Sequence, residues 1–286
     1  MASESSVIAS TRVGKTDFRW GERTYVMGIC NLSPDSFSGD GLGTDIEATL
    51  AQAQRMVAEG ADIIDVGGES TRPGMEPQSI DDIDEELRLV IPAIERLASE
   101  IKVPISIDTY KYGVARRALK AGAVMLNDIW ALQLDPKLAQ LAAEQNVPIT
   151  LMSNQREAPV DDIMPAIIAD LERAIRQATE ARVPEHNIIV DPGIGFGKSL
   201  EQNLEIIRRL AELRTLGKPI LLGSSRKSMI GRVLNLPTDQ RLEGTAATIA
   251  LGIAGGADII RVHDVKQMFR VCRMSDAIIR RRTPRD

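Results

Sequence analysis

The chain has 286 residues, 43% hydrophobic and 26% charged, with a formal net charge of -5 at pH 7 and only 3% aromatic residues, a balance that excludes a basic, aromatic-laced nucleic-acid surface. No apolar run approaches the roughly 18 residues of a membrane span, and residues 1–10 lack the basic start and apolar stretch of an export signal. The two cysteines, Cys30 and Cys272, are too few for a disulfide framework or a paired-cysteine metal site, and a reducing cytoplasm is the expected location.

Along the chain, residues 1–15 are expected to form a frayed tail, and 18–23 read as a small hairpin suited to capping a barrel floor. Short apolar runs then alternate with amphipathic helical patterns. The predicted strands are 24–30, 61–66, 103–107, 123–126, 147–152, 187–190, 219–223 and 257–262. Most are near-continuous Ile, Val and Leu, the pattern of strands buried on both faces of a parallel sheet. Between them Leu87, Val90, Ile91, Ile94 and Leu97 recur at helical spacing, as do Leu204, Ile207, Leu210 and Leu213.

A weak internal repeat supports the count: Gly60-Ala61-Asp62-Ile63-Ile64-Asp65, Gly122-Ala123-Val124-Met125-Leu126-Asn127 and Gly256-Ala257-Asp258-Ile259-Ile260-Arg261 each show a helix-ending glycine, a buried strand and a polar tip. Eight such units without an interior linker predict an α/β (β/α)8 TIM barrel as one domain over residues 1–286, with its site at the C-terminal strand ends. A doubly wound open sheet is the competing layout. It would want a glycine fingerprint after the first strand, where this chain reads Asn31-Leu32-Ser33-Pro34-Asp35-Ser36-Phe37-Ser38.

Polar residues end several strands. The run Asp191-Pro192-Gly193-Ile194-Gly195-Phe196-Gly197-Lys198 puts a carboxylate at a strand end, followed by glycines that let backbone approach a ligand. Asp108, Asn127 and Asp191 in one barrel mouth suit a planar heterocycle bearing a fork of N–H donors, because a carboxylate accepts two parallel hydrogen bonds. Each acid could instead cap the helix that follows. Arg261 and His263 alternate with Val262, so both point to one side of the last strand, where they suit phosphate or pyrophosphate. Gly223-Ser224-Ser225-Arg226-Lys227-Ser228 adds backbone donors and two cations, and Arg72 adds another from the loop at 67–74. His186 is read as a structural turn residue. Metal-ligand spacing is absent, so any Mg2+ would ride on substrate phosphates, with Asn31 as a protein oxygen donor.

The runs Met27-Gly28-Ile29-Cys30-Asn31-Leu32-Ser33-Pro34-Asp35-Ser36-Phe37-Ser38, Gly67-Gly68-Glu69-Ser70-Thr71-Arg72-Pro73-Gly74, Ser106-Ile107-Asp108-Thr109, Asn127-Asp128-Ile129, 191–198, Ser225-Arg226-Lys227-Ser228 and Arg261-Val262-His263-Asp264 resemble, in order, the dihydropteroate synthase family. The resemblance covers roughly residues 24–282 and implies the same eightfold barrel. It also implies a reaction that joins p-aminobenzoate to 6-hydroxymethyl-7,8-dihydropterin pyrophosphate, giving 7,8-dihydropteroate for folate synthesis and releasing pyrophosphate.

By position, the resemblance implies that Asp108, Asn127, Asp191 and Lys227 hold the pterin. Asn31, Arg261 and His263 hold pyrophosphate and Mg2+, helped by Thr71 and Arg72, while Phe37, Pro73, Phe196 and Ser228 line the p-aminobenzoate slot. Asp40 is the lid carboxylate near the reacting carbon, and a homodimer is expected. Two departures stand out: Ser36-Phe37-Ser38-Gly39-Asp40-Gly41 shifts the loop acid by one place from the family's Ser-Phe-Ser-Asp-Gly-Gly, and Met152-Ser153-Asn154 replaces its Met-His-Met. The first suggests a sulfonamide-insensitive form. A methyltetrahydrofolate-binding methyltransferase is the alternative enzyme, and a non-catalytic pterin-binding protein the third reading.

Overall fold

The computed structural model describes residues 9–33, 42–69, 77–154 and 162–280. An antiparallel hairpin, β1 (Ser10–Val13) and β2 (Thr16–Arg19), precedes eight parallel strands: β3 (Tyr25–Asn31), β4 (Ile63–Gly67), β5 (Ile105–Asp108), β6 (Met125–Asp128), β7 (Ile149–Met152), β8 (Ile188–Asp191), β9 (Leu221–Leu222) and β10 (Ile259–Val262). Their order is β8-β7-β6-β5-β4-β3-β10-β9, and a parallel bridge from Val190 to Ile220 joins the two ends. The sheet therefore closes into the predicted barrel, wrapped by the helices that parallel crossovers require.

Each predicted strand is present, but all eight begin one or two residues later than the apolar runs do. The reason is local. The backbone N–H groups of Ala61, Ala123, Val147 and Ala257 donate to the carbonyls of Met56, Ala118, Ala142 and Gly252. These apolar residues therefore close the preceding helices through their backbone N–H groups before the strand begins. At the other end the strands run on into their polar tips, so Asn31, Asp108 and Asp191 are strand residues held by the barrel ladder.

Helix starts follow side-chain chemistry. Asp45 accepts from Ala48 N ahead of α1 (Ile46–Ala58), and Ser199 and Gln202 form a reciprocal capping box on the helix Leu200–Arg208. The predicted stripe of α2 (Asp84–Glu100) buries Leu89, Val90, Ala93, Ile94 and Leu97, with Leu87 and Ile91 partly buried beside them.

The hairpin lies earlier than expected: Ser10–Val13, assigned to the tail from composition, is its first strand, and Val13 is fully buried. Val13 and Phe18 pack with Tyr25, Met27, Ile63, Met125, Ile189, Leu221 and Ile259 at the N-terminal end of the barrel. The Phe18 and Tyr25 rings stack at 4.3 Å between centroids, with Trp20 edge-on to both. This apolar plug leaves the barrel interior to open at its C-terminal strand ends.

Candidate active site

At those ends lies a cavity of about 1140 Å3, its open mouth included. Among its walls are Asn31 of β3, Asp108 of β5, Asn127 of β6, Asp191 of β8, Lys227 and Ser228 after β9, Arg261 of β10 and His263 just after it, and Phe196 from the loop after β8. Ile29, Ile129, Met152 and Ile194 supply apolar surface. An apolar slot with a few convergent polar groups suits a flat heterocycle.

Asp191 is shaped by the loop that follows it. Its Oδ1 accepts from Gly193 N at 2.7 Å, which directs the rest of the carboxylate toward the cavity. Gly193 has φ +70, and a Cβ there would lie 2.0 Å from the Ser153 carbonyl oxygen, so only glycine lets this turn close. Lys198 braces the same loop by donating to the Ser153, Gly193 and Phe196 carbonyls at 3.0, 3.0 and 3.1 Å. Burial pulls the Lys198 ammonium down to about 7 and pushes the Asp191 carboxyl up to about 6, against the pull of Gly193 N–H and Lys227. The departing Ser153-Asn154 pair is built into this frame: Ser153 N donates to Asp191 O, and Asn154 Nδ2 donates to Ile129 O.

Another part of the wall is ionic. Arg261 donates from Nε to Asp65 Oδ2 and from a terminal nitrogen to Asp108 Oδ2, each at 2.6 Å. Asn127 Nδ2 donates to the same Asp65 oxygen at 3.1 Å. Burial raises the Asp108 carboxyl to about 7, opposed by Arg261 and reinforced by the nearby Asp65 charge. Burial alone would lower the Arg261 guanidinium, but Asp65 and Asp108 outweigh it and raise it above its ordinary value.

The remaining cations divide. Lys227 Nζ lies 4.2 Å from the centroid of the Phe196 ring, inside the cavity. Arg226, read as a second anion contributor on this loop, is not a cavity residue. It forks onto Asp264 at 2.9 and 2.6 Å, so the loop presents one cation rather than two. His263 is fixed from both sides by Ser225 Oγ, which lies 2.9 Å from Nδ1 and accepts from His263 N at 3.2 Å. Asn31 Oδ1 accepts from Ser33 N at 3.0 Å. His186 sits in the turn Glu185–Asn187, with its carbonyl accepting from Thr11 of the floor hairpin.

The structure thus brings together Asn31, Asp108, Asn127, Asp191, Phe196, Lys227, Ser228, Arg261 and His263. Phe37, Asp40, Thr71, Arg72 and Pro73 lie outside the described residues. Asp65, read in the internal repeat as a polar strand tip and not as a site residue, is instead fully buried in the middle of β4, behind the site. Its signal was present, since a carboxylate inside a run of Ile and Val demands a partner charge.

Comparison with known proteins places this geometry. The sequence profile described as "Pterin binding enzyme" matches residues 27–263. A dihydropteroate synthase of Bacillus subtilis is 52% identical over 258 residues, covering 90% of each chain. A Clostridium difficile dihydropteroate synthase crystallised in the presence of pteroic acid superposes with a TM-score of 0.85 at 50% identity, covering 91% of this chain and 98% of that one. The Xanthomonas albilineans enzyme with 4-aminobenzoic acid gives a TM-score of 0.88 at 38% identity, covering 96% and 99%.

Proposed function

The chain belongs to the pterin-binding enzyme family, and from that premise we infer that it acts as a dihydropteroate synthase, condensing 6-hydroxymethyl-7,8-dihydropterin pyrophosphate with p-aminobenzoate to give 7,8-dihydropteroate and pyrophosphate. The observation that carries the reading is the convergence of Asp108, Asn127 and Asp191 from three strands, with Lys227, on one cavity. These acceptors suit the N–H edge of a pterin. Arg261 and His263 stand on the wall that would meet the negative charge developing on a departing anion. As the bond from the methylene carbon to the pyrophosphate oxygen breaks, its electron pair leaves with the oxygen, and the aniline nitrogen lone pair forms the new bond. The aniline proton is then lost, a step that needs no strong base. An assay of pyrophosphate release should show turnover that requires both substrates, and release independent of p-aminobenzoate would overturn the reading.

Mg2+ is proposed as a companion of the substrate. Among the described residues no cluster of three or more His, Cys, Asp or Glu could hold a metal ion, whereas Asn31 supplies a carboxamide oxygen at the cavity wall. That donor set fits an ion carried mainly by pyrophosphate oxygens, whose chemistry would be to neutralise the leaving group.

Binding should release protons. Burial holds Asp191 near 6 and Asp108 near 7 in the open site, and pterin N–H donors favour the ionised carboxylate, lowering both values on binding. The affinity for the pterin should therefore rise with pH through this window and level off above it. Calorimetry at about pH 6.5 in two buffers of different ionisation heat should count protons released, and uptake would contradict the assignment.

The shifted acid of the first loop carries a separate proposal: Asp40 stabilises the cationic methylene, and its displacement weakens sulfonamide binding. Asp40→Asn should lower kcat about tenfold or more with little change in pterin affinity. A sulfonamide Ki at or below the KM for p-aminobenzoate would remove the insensitivity reading.

No described helix is long and apolar enough to cross a membrane, and a cytoplasmic location is proposed. A homodimer is proposed through α8 (Leu242–Gly255) and α9 (Val265–Ile279), which pack on each other and leave Leu251, Met274 and Ile278 about 60% exposed. Light scattering that gives a monomer at assay concentrations would reject this.

A further inference from the structure

We propose that Asp65, which does not line the cavity, is the positioning residue for both Arg261 and Asn127, keeping Arg261 anchored when substrate occupies Asp108. The proposal rests on the pterin-site reading above. Asp65 is fully buried in the middle of β4, and its Oδ2 alone accepts from Arg261 Nε at 2.6 Å and from Asn127 Nδ2 at 3.1 Å. Its Oδ1 is sealed from solvent with no hydrogen-bond partner among the described residues. A buried carboxylate using half its acceptors is costly to keep, so its two bonds to cavity-lining side chains are the feature to explain.

The two ends of the Arg261 guanidinium differ in what can reach them. Asp108 lines the cavity, so a ligand N–H can compete with the Arg261 nitrogen for its Oδ2, 2.6 Å from that nitrogen. Asp65 lies behind the wall, where no ligand competes for it. Nε therefore stays fixed while the outer nitrogens are released toward an anion. Asn127 is constrained by the same oxygen: an ionised carboxylate only accepts, so it draws Nδ2 inward and leaves Oδ1 as the group the carboxamide offers to the cavity. A rotation of that amide would set oxygen against oxygen. One carboxylate oxygen, Oδ2, thus orients a cation and an amide from two different strands, which neither side chain's own strand position would fix.

A double-mutant cycle tests this, with binding of pterin pyrophosphate and of the unphosphorylated hydroxymethylpterin as readouts in the full chain. Asp65→Asn should weaken the pyrophosphate ester about tenfold or more, yet less than about threefold further when Arg261→Ala is already present, because the two act as one unit. In an Asn127→Ala background, Asp65→Asn should similarly lose its effect on the unphosphorylated pterin. Additive losses in both cycles, equal for both ligands, would show a general structural role and overturn the proposal. Should Asp65→Asn alone not fold, the double variant with Arg261→Ala carries the test, since it removes a buried anion together with its cation. It should melt above Arg261→Ala alone, and melting below it would also overturn the proposal. Failure of the wild-type protein to bind the pyrophosphate ester would instead remove the pterin-site reading itself.

Discussion

Asp191→Asn should lose about 2 to 4 kcal/mol of pterin pyrophosphate affinity, a drop of roughly thirtyfold to a thousandfold. The size follows from how the loop holds this side chain. Gly193 N–H donates to Oδ1 at 2.7 Å, so an amide at this position keeps its oxygen there and turns its NH2 into the cavity. Two donors then meet where the ligand needs an acceptor. The opposite rotamer sets the NH2 against Gly193 N–H, so neither orientation escapes a donor clash. Fold stability should change far less, because the loop also hangs on the three Lys198 bonds. Calorimetry beside a melting curve separates the two effects. Affinity within threefold of wild type would take Asp191 out of the pocket, and a collapse of the melting temperature would make it a loop brace.

The barrel was legible because its strands are buried on both faces, which writes them as Ile and Val runs punctuated by glycine. Their starts were less legible, because Ala61, Ala123, Val147 and Ala257 are apolar for a different reason: they close helices. Apolarity reports burial and says nothing of which element is buried. The hairpin strand at Ser10–Val13 escaped notice because only Thr11 and Val13 point inward, and an alternation of four residues is too short to distinguish from a tail. In the site, Asp108, Asn127 and Asp191 were readable because each ends an apolar run. Partner choice was not readable. Arg226 and Lys227 are adjacent in sequence, yet one forks onto Asp264 and the other faces the Phe196 ring. That division goes with the left-handed backbone at Arg226, φ +56, and with loop neighbours distant in sequence, Asp264 after β10 and Phe196 after β8. Asp65 shows the same limit, since its partners come from β6 and β10.

Arg261→Ala is expected to damage the protein in two separable ways. Arg261 is the cation shared by Asp65 and Asp108, both within 2.6 Å, and its side chain is only 22% exposed. Removing it leaves a sealed carboxylate and a recessed one without their counter-charge, a loss of about 3 kcal/mol or more of stability at neutral pH. The sign of the pH dependence follows from the acids. Without Arg261 the folded pKa of Asp108 climbs further above that of the unfolded chain, so its ionised form opposes folding and the penalty fades as pH falls and it takes up a proton. Denaturant unfolding of both proteins should therefore show a deficit that grows as pH rises above about 7 and narrows as pH falls to that value. A deficit that is constant, or that widens in acid, would mean the arginine is not balancing these two carboxylates. The second loss concerns ligand. Turnover should fall about a hundredfold or more, because the cation that meets the leaving pyrophosphate is gone, while the unphosphorylated hydroxymethylpterin loses far less affinity than the pyrophosphate ester. Measured at the acid end of the range, where the variant is best folded, equal losses for the two ligands would assign Arg261 to the pocket's architecture alone.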